Sequence, residues 1–113
     1  MTPEAELLAR ALLDWRTENA RDRTPAPDRC LISYGALCKR VGVPDIRPNI
    51  GAFLREIAGW CDANAWPPLN SLAVNHRTHK PGPGYDKAPG CTLEGWADQL
   101  AACLSFGGYP ESV

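Results

Sequence analysis

The sequence of 113 residues lacks several features that mark common classes of protein. It has no apolar run approaching the roughly 20 residues that a membrane-spanning helix needs, so we expect no membrane partner. Its five cysteines are odd in number and include no CxxC pair, which indicates reduced thiols rather than a disulfide framework. Glu4 and Glu6 stand where a secretory signal would be basic, so the expected location is cytoplasmic.

The sequence also lacks the short motifs of familiar enzymes. It contains no GxSxG, phosphate-binding loop, HExxH or paired carboxylates. We therefore expect no enzymatic activity, no cofactor and no small-molecule substrate.

A metal site could be drawn only from His76, His79 and Cys91. Structural zinc sites have paired ligands in two places, whereas only one close pair exists here, so no metal is predicted. Cys91 at a predicted helix start could be a reactive thiol, but burial is the commoner fate of such a residue. Burial is also expected for Cys38, Cys61 and Cys103.

The net charge of −1 excludes a strong overall attraction to nucleic acid or anionic lipid. The charges are unevenly distributed, however. Between Lys39 and Lys87 there are seven Lys or Arg against four Asp or Glu, and the remainder has five against nine. A modestly basic centre is therefore placed between acidic ends, which permits a nucleic-acid-binding surface.

Hydrophobic spacing predicts helices at both ends of a single domain spanning residues 1–113. The first helix begins at the cap Thr2 and fades near Arg21, and a proline-rich connection follows at 24–28. The last begins with Thr92 as its cap and ends at Gly107. Its expected buried side consists of Leu93, Trp96, Ala97, Leu100 and Leu104.

The central stretch 33–55 predicts a helix-turn-helix, which extends over 34–64. In the first helix Ser33 is the N-cap and Gly42 the C-cap. Tyr34 opens its apolar side, and Lys39 lies off that side, where it can contact a phosphate.

The second helix is predicted to begin after Pro48 and to carry an apolar face. That face consists of Ile50, Phe53, Leu54, Ile57 and Cys61. Arg47, Asn49 and Arg55 fall on the opposite face and could meet a groove or the phosphate backbone. The alternative is an ordinary packed pair of helices with solvated charges.

A short strand is predicted at 71–75, and the following segment 76–87 contains two Pro-Gly pairs that argue against a regular element. The positive residues Arg77, Lys80 and Lys87 and the aromatic Tyr85 are types that contact a nucleic-acid backbone or a base. His76, Arg77 and Lys80 are expected to form the contact. After a helix-turn-helix and a strand, this segment is typical of a wing. The alternative is an exposed turn.

The central stretch resembles the DNA-binding domain of the alkylguanine-DNA alkyltransferases and the non-enzymatic alkyltransferase-like proteins. The resemblance rests on Ser33-Tyr34, Leu37, Gly42-Val43-Pro44, Gly51 and Arg55, which align without a gap, and continues at 74–77 and 82–85. It covers about half of the chain. It implies a winged-helix DNA-binding domain.

The chain departs from the family pattern at three points. Asn75 stands at the position of the alkyl-accepting cysteine, so alkyl transfer by that route is excluded. Tyr34 matches the family tyrosine that helps to rotate a nucleotide out of the duplex, but Pro48 falls where the family has its intercalating arginine. Arg47 is one residue early, which on a helix swings a side chain by about 100°. The second helix is also longer than in the family.

The sequence thus predicts a mainly α fold with a small β component, a winged-helix-like domain of three to four helices, one short strand and a Pro/Gly-rich wing. Its expected function is non-catalytic binding of nucleic acid, with duplex DNA the favoured form. The expected contact residues are Tyr34, Lys39, Arg47, Asn49, Arg55, Asn75, His76, Arg77, Lys80 and Tyr85. The alternative is a protein-interaction module, for example a phage- or defence-related regulator or inhibitor, which near-neutral charge and an exposed Trp60 or Trp66 would favour.

Overall fold

The computed structural model describes residues 1–19, 30–111 and 113. Over these residues the α-helices and strands are α1 (Pro3–Asn19), β1 (Ile32–Ser33), α2 (Tyr34–Val41), α3 (Ile50–Ala63), β2 (Ala73–Val74) and α4 (Trp96–Ser105). Short 3-10 helices occupy Pro44–Asn49, Leu69–Leu72 and Pro83–Lys87. The predicted mainly helical fold with a small β component is therefore confirmed. The predicted connection at 24–28 and the predicted end of α1 at Arg21 lie outside the described residues.

The start of α1 is held at its own cap and against α3. The Thr2 hydroxyl accepts a hydrogen bond from the Ala5 amide at 3.2 Å, as its position predicts. The Thr2 amide and hydroxyl donate to the two carboxylate oxygens of Glu56 on α3, at 2.9 and 2.8 Å. These hydrogen bonds to the charged form lower the pKa of Glu56.

Both predicted caps of α2 are confirmed. The Ser33 hydroxyl accepts the Ala36 amide at 3.1 Å, which satisfies one of the free donors at the helix start. Gly42 adopts a left-handed conformation with φ of 76° and donates its amide to the Cys38 carbonyl at 2.9 Å. Glycine suits this position because it has no β carbon to clash with the preceding turn.

The connection between α2 and α3 differs from the predicted short turn. Pro44–Asn49 forms a 3-10 helix whose Ile46 is fully buried, and α3 begins only at Ile50. Arg47 and Asn49 therefore precede α3 and do not lie on it, so their predicted placement on the second helix is wrong. The predicted apolar face of α3 is confirmed, because Leu54, Ile57 and Cys61 are buried.

The two strands form a parallel pair, with Ile32 opposite Ala73 and Ser33 opposite Val74. The predicted strand at 71–75 is shortened to two residues because Leu69–Leu72 adopts a 3-10 helix. That helix places the side chains of Asn70 and Ser71 in the interior. The pairing joins the start of α2 to the segment that follows β2.

The last helix begins later than predicted. Thr92 caps a turn by accepting the Gly95 amide at 3.0 Å, and α4 itself starts at Trp96. Leu93 is 44% exposed and Ala97 is also exposed, so the prediction that both are buried is wrong. Because the residues before Trp96 are not helical, helical spacing does not apply to Leu93.

The buried side chains form two groups. The main core is defined by residues of α1, α2, α3, α4 and the first two 3-10 helices, including Leu8, Leu12, Leu37, Ile57 and Leu100. The second cluster consists of Ala58, Tyr85, Ala88 and Cys91, with Trp96 packed against it. It holds the segment after β2 against α3. No helix within the described ranges is long and apolar enough to span a bilayer.

Candidate nucleic-acid interface

The segment with the two Pro-Gly pairs lies directly beside α2 and α3. The Tyr34 hydroxyl at the start of α2 accepts the amide of Gly82 at 2.8 Å. A β carbon placed on Gly84 would lie 3.6 Å from Nη1 of Arg55, and one placed on Gly51 would lie 3.8 Å from the same atom. The Arg55 guanidinium therefore spans the gap between α3 and the segment after β2.

Arg47 lies over the first turn of α2. A β carbon on Gly35 would approach Nη1 of Arg47 to 3.1 Å, which is closer than most such contacts. Gly35 thus leaves the space that the guanidinium occupies. Arg47 therefore lies against α2, whereas Arg55 lies against the segment after β2.

Residues 75–80 form a closed turn. The Asn75 amide donates to the Lys80 carbonyl at 2.9 Å, and the His79 amide donates to the Asn75 carbonyl at 2.9 Å. The Asn75 side-chain oxygen accepts the Arg77 amide at 2.8 Å. His79 adopts a positive φ of 57°, which the tight closure requires. The turn leaves the side chains of His76, Arg77 and Lys80 exposed.

Asn75 has a structural role that the sequence did not indicate. Its side-chain oxygen is used to hold the turn that presents Arg77, in the manner of an Asx turn. The residue is half-buried between β2 and the turn. Its contribution to a binding surface would therefore be to position Arg77 and its neighbours.

The remainder of the segment is more regular than its prolines and glycines indicate. Pro83–Lys87 forms a 3-10 helix, so the expectation of no regular element is wrong. Tyr85 is only 7% exposed, and its hydroxyl donates to the Gln99 side-chain oxygen at 2.6 Å. Burial raises the pKa of Tyr85. Tyr85 is thus part of the second cluster and is not an exposed aromatic contact.

The cationic face is defined here as Arg47, Arg55, Arg77 and Lys80. All four side chains are exposed, and none has a carboxylate within ion-pair distance among residues 1–19, 30–111 and 113. Asn49 is also exposed and lies just before α3. Lys39 is exposed on the last turn of α2, five residues from Tyr34. The structure therefore places Lys39 apart from the Tyr34 end of that helix.

Arg40, which also lies in the basic centre, is used within the fold. Its guanidinium pairs with Glu18 on α1 and lies 5.5 Å from the centre of the Trp15 ring. This contact fixes α2 against α1. The Arg40 guanidinium is consequently less available to an external phosphate than the side chains of the cationic face.

A cavity of about 150 Å³ lies between α3 and the segment after β2. Its walls are mainly apolar and include Tyr34, Ile50, Leu54, Ala73 and Tyr85, with Arg55 also among the lining residues. Asn70 lines the same cavity and is 3% exposed. Sequence reasoning missed Asn70, since an asparagine at the edge of a predicted strand carries no signal of burial.

The thiol and metal candidates have no supporting geometry. Cys91 is buried, and burial raises its pKa, which is the opposite of what an activated thiolate requires. His76 and His79 are exposed. Across the part of the chain that the structure describes, no three His, Cys, Asp or Glu side chains are grouped as metal ligands would be.

The tryptophans expected to favour a protein partner are not freely exposed. Trp60 and Trp66 are both half-buried and pack edge to face, with ring centres 5.0 Å apart. Trp66 also packs against Tyr109, at 6.0 Å. Both side chains therefore take part in packing within the fold.

Comparisons with protein-family models, with curated proteins and with solved structures found no match for this chain.

Proposed function

We propose that this chain is a non-catalytic nucleic-acid-binding domain that contacts duplex DNA through the cationic face. The observation that carries the proposal is the close approach of Arg55 on α3 to Gly84, together with the hydrogen bond from Gly82 to Tyr34. These contacts join α2 and α3 to the residues that follow the turn at 75–80, which supports treating the helices and that segment as one binding surface. A duplex could then be contacted by both at once.

The charges of this face suit the phosphate backbone. Arginine and lysine that neutralise phosphates release bound counterions, which supplies most of the affinity for non-specific sites. The rest of the chain is net acidic, so the whole molecule has a charge of only −1. The proposal therefore predicts moderate affinity with a marked dependence on salt.

The proposed wing differs from a strand hairpin. The closed turn at 75–80 presents Arg77 and Lys80, and the following 3-10 helix returns the chain to α3. The term wing describes the position of this segment beside α3. A rigid turn of this kind loses little conformational entropy when its cations meet phosphates.

The resemblance to the alkyltransferase-like proteins supports the same proposal. Asn75 occupies the position of the reactive cysteine, and its amide holds the turn. An amide cannot accept an alkyl group as a thiolate does. The proposed role is therefore recognition without alkyl transfer.

The test is binding to a random-sequence duplex at low salt, measured by fluorescence anisotropy of the labelled DNA. We expect Arg55→Ala and Arg77→Ala each to weaken binding by about fivefold, because each removes one phosphate contact. Arg10→Ala is the matched control, since Arg10 is an exposed cation on α1 outside the face. Equal affinities for all three variants and the native chain would contradict the proposal.

The second candidate is a protein-interaction module, favoured by the near-neutral total charge. Among the residues described, the exposed large apolar side chains are Met1, Leu7, Leu93 and Val113. They do not lie on α3. Absence of any DNA binding at low salt would favour this candidate over the first.

A further inference from the structure

The cavity between α3 and the segment after β2 combines an apolar wall with a single formal charge. Ile50, Leu54 and Ala73 contribute apolar side chains, and Arg55 is the one charged residue among the described residues that line the cavity. The volume of about 150 Å³ is enough for one hydrocarbon ring. The cavity can therefore hold the body of a small apolar ligand beside a positive charge.

Two glycines fix the position of the Arg55 guanidinium relative to this cavity. Gly51 and Gly84 both line it, and β carbons placed on them would lie 3.8 and 3.6 Å from Nη1 of Arg55. The charged end of the side chain, and not only its stem, is thus close to the cavity wall. No carboxylate of a described residue lies within ion-pair distance of Arg55. Its charge is consequently left for an external anion.

The Tyr34 hydroxyl lies at the same wall. Its oxygen is 3.6 Å from the position of a β carbon on Gly82, which also lines the cavity. The oxygen accepts the Gly82 amide, and the hydroxyl proton donates to no residue that the structure describes. Arg55 and Tyr34 therefore both offer hydrogen-bond donors, which suit a ligand whose polar end only accepts.

We infer that the cavity binds a small carboxylic acid in its ionised form, with a hydrocarbon body about the size of one ring against the apolar walls and the carboxylate at Arg55. The planar guanidinium matches a carboxylate because two parallel N–H groups can donate to its two oxygens. A cation would be repelled by Arg55. A mostly apolar cavity with few polar groups is the usual form of a small-ligand site.

The experiment compares phenylacetate with phenylacetamide, which has nearly the same shape but no charge. Each is titrated at pH 7 and low salt into the ¹⁵N-labelled native chain without DNA, so the result is independent of the proposed function. The amide shifts of Gly51, Gly82 and Gly84 report occupancy of the cavity, and Gly107 after α4 is the reference. We expect phenylacetate to bind about fivefold more tightly, because Arg55 is exposed and the pair stays partly solvated. Equal affinities, or no shifts at the three amides, would overturn the inference.

Two variants separate the assigned contact from a general effect of positive charge. Arg55→Gln should bind both compounds with similar affinity, since the charge at the cavity is gone. Lys87→Gln is the matched control, because Lys87 is an exposed cation on the neighbouring 3-10 helix that does not line the cavity. It should keep the preference for phenylacetate. Both substitutions are at exposed positions, so both variants should fold. An equal loss of preference in the two variants, or its retention in Arg55→Gln, would overturn the inference.

Discussion

The main core draws large apolar side chains from all four α-helices, whereas the second cluster holds the segment 82–91 with few and smaller groups. In the main core, Leu8 and Leu12 are fully buried one helical turn apart on α1, and Leu37 on α2 is also fully buried. The second cluster depends instead on the Tyr85 ring and its hydrogen bond to Gln99, supported by the bond between Tyr34 and Gly82. The comparison indicates that the main core stabilises the fold, whereas the second cluster holds the candidate site in place.

The largest expected effect is the difference in unfolding free energy lost when each region is substituted. Leu12→Ala should lower the free energy of unfolding by about 2–5 kcal/mol, because it leaves a cavity in the main core. Tyr85→Phe removes only a hydroxyl from the second cluster and should cost about 1 kcal/mol. Urea denaturation followed by circular dichroism measures both values. A smaller loss for Leu12→Ala than for Tyr85→Phe would contradict the proposed difference between the main core and the second cluster.

The second effect concerns the buried thiols of the main core. Burial raises the pKa of Cys61 from 9.0 to about 11, so the folded chain retains a proton that the unfolded chain releases above pH 9. The unfolded state then binds fewer protons, and stability falls as pH rises from 9 to 11. This thiol should contribute roughly 2 kcal/mol of that loss.

The measurement is urea denaturation at pH 8, 9, 10 and 11 for the native chain and for Cys61→Ala. The variant should be less stable at pH 8 because it has lost a buried group, but its decline above pH 9 should be shallower. Identical declines would show that Cys61 does not carry the effect. Other buried groups with raised pKa values, such as Tyr109, account for the decline that remains.

The smallest expected effect is local to the candidate site. Tyr34→Phe removes the acceptor of the Gly82 amide and should cost about 1 kcal/mol. Hydrogen exchange at Gly82 should accelerate by about tenfold. Tyr109→Phe is the matched control, since its hydroxyl donates to the Pro67 carbonyl away from the segment 82–91. Similar exchange at Gly82 in both variants would contradict the proposed role of Tyr34.

Sequence patterns predicted the parts of this molecule that depend on neighbours along the chain. Caps at Thr2, Ser33 and Gly42 follow from local hydrogen bonding and backbone preference, and the structure confirms them. The buried face of α3 follows from helical spacing. The start of α3 shortly after Pro48 was also predicted, but the 3-10 helix at Pro44–Asn49 was not, because it accompanies the burial of Ile46, a tertiary contact.

The site depends on contacts that are distant in sequence, and these leave no local pattern. Tyr34 and Gly82 are separated by 48 residues, so their hydrogen bond could not be predicted from spacing. The interior position of Asn70 results from packing around β2. Tyr85 appeared among glycines and prolines, which indicated an exposed loop, yet its ring completes the second cluster.

The exposed cations were easier to predict than the partners of the aromatic residues. Arg55, Arg77 and Lys80 lie outside the apolar positions of the sequence pattern, and all three are exposed. The segment that carries Arg77 and Lys80 is joined to the start of α2 by the short parallel pairing of Ser33 with Val74. That pairing involves strands of two residues each, which are too short for a reliable sequence pattern.

The salt dependence of duplex binding tests most directly whether α3 and the segment 75–87 act as one surface. The logarithm of the binding constant is measured against the logarithm of the salt concentration for the native chain, Arg55→Ala, Arg77→Ala and the double variant. Each single substitution should reduce the slope by about 0.9 and the double variant by about 1.8, one phosphate contact for each arginine. A double variant with the native slope would show that these arginines do not meet the same duplex.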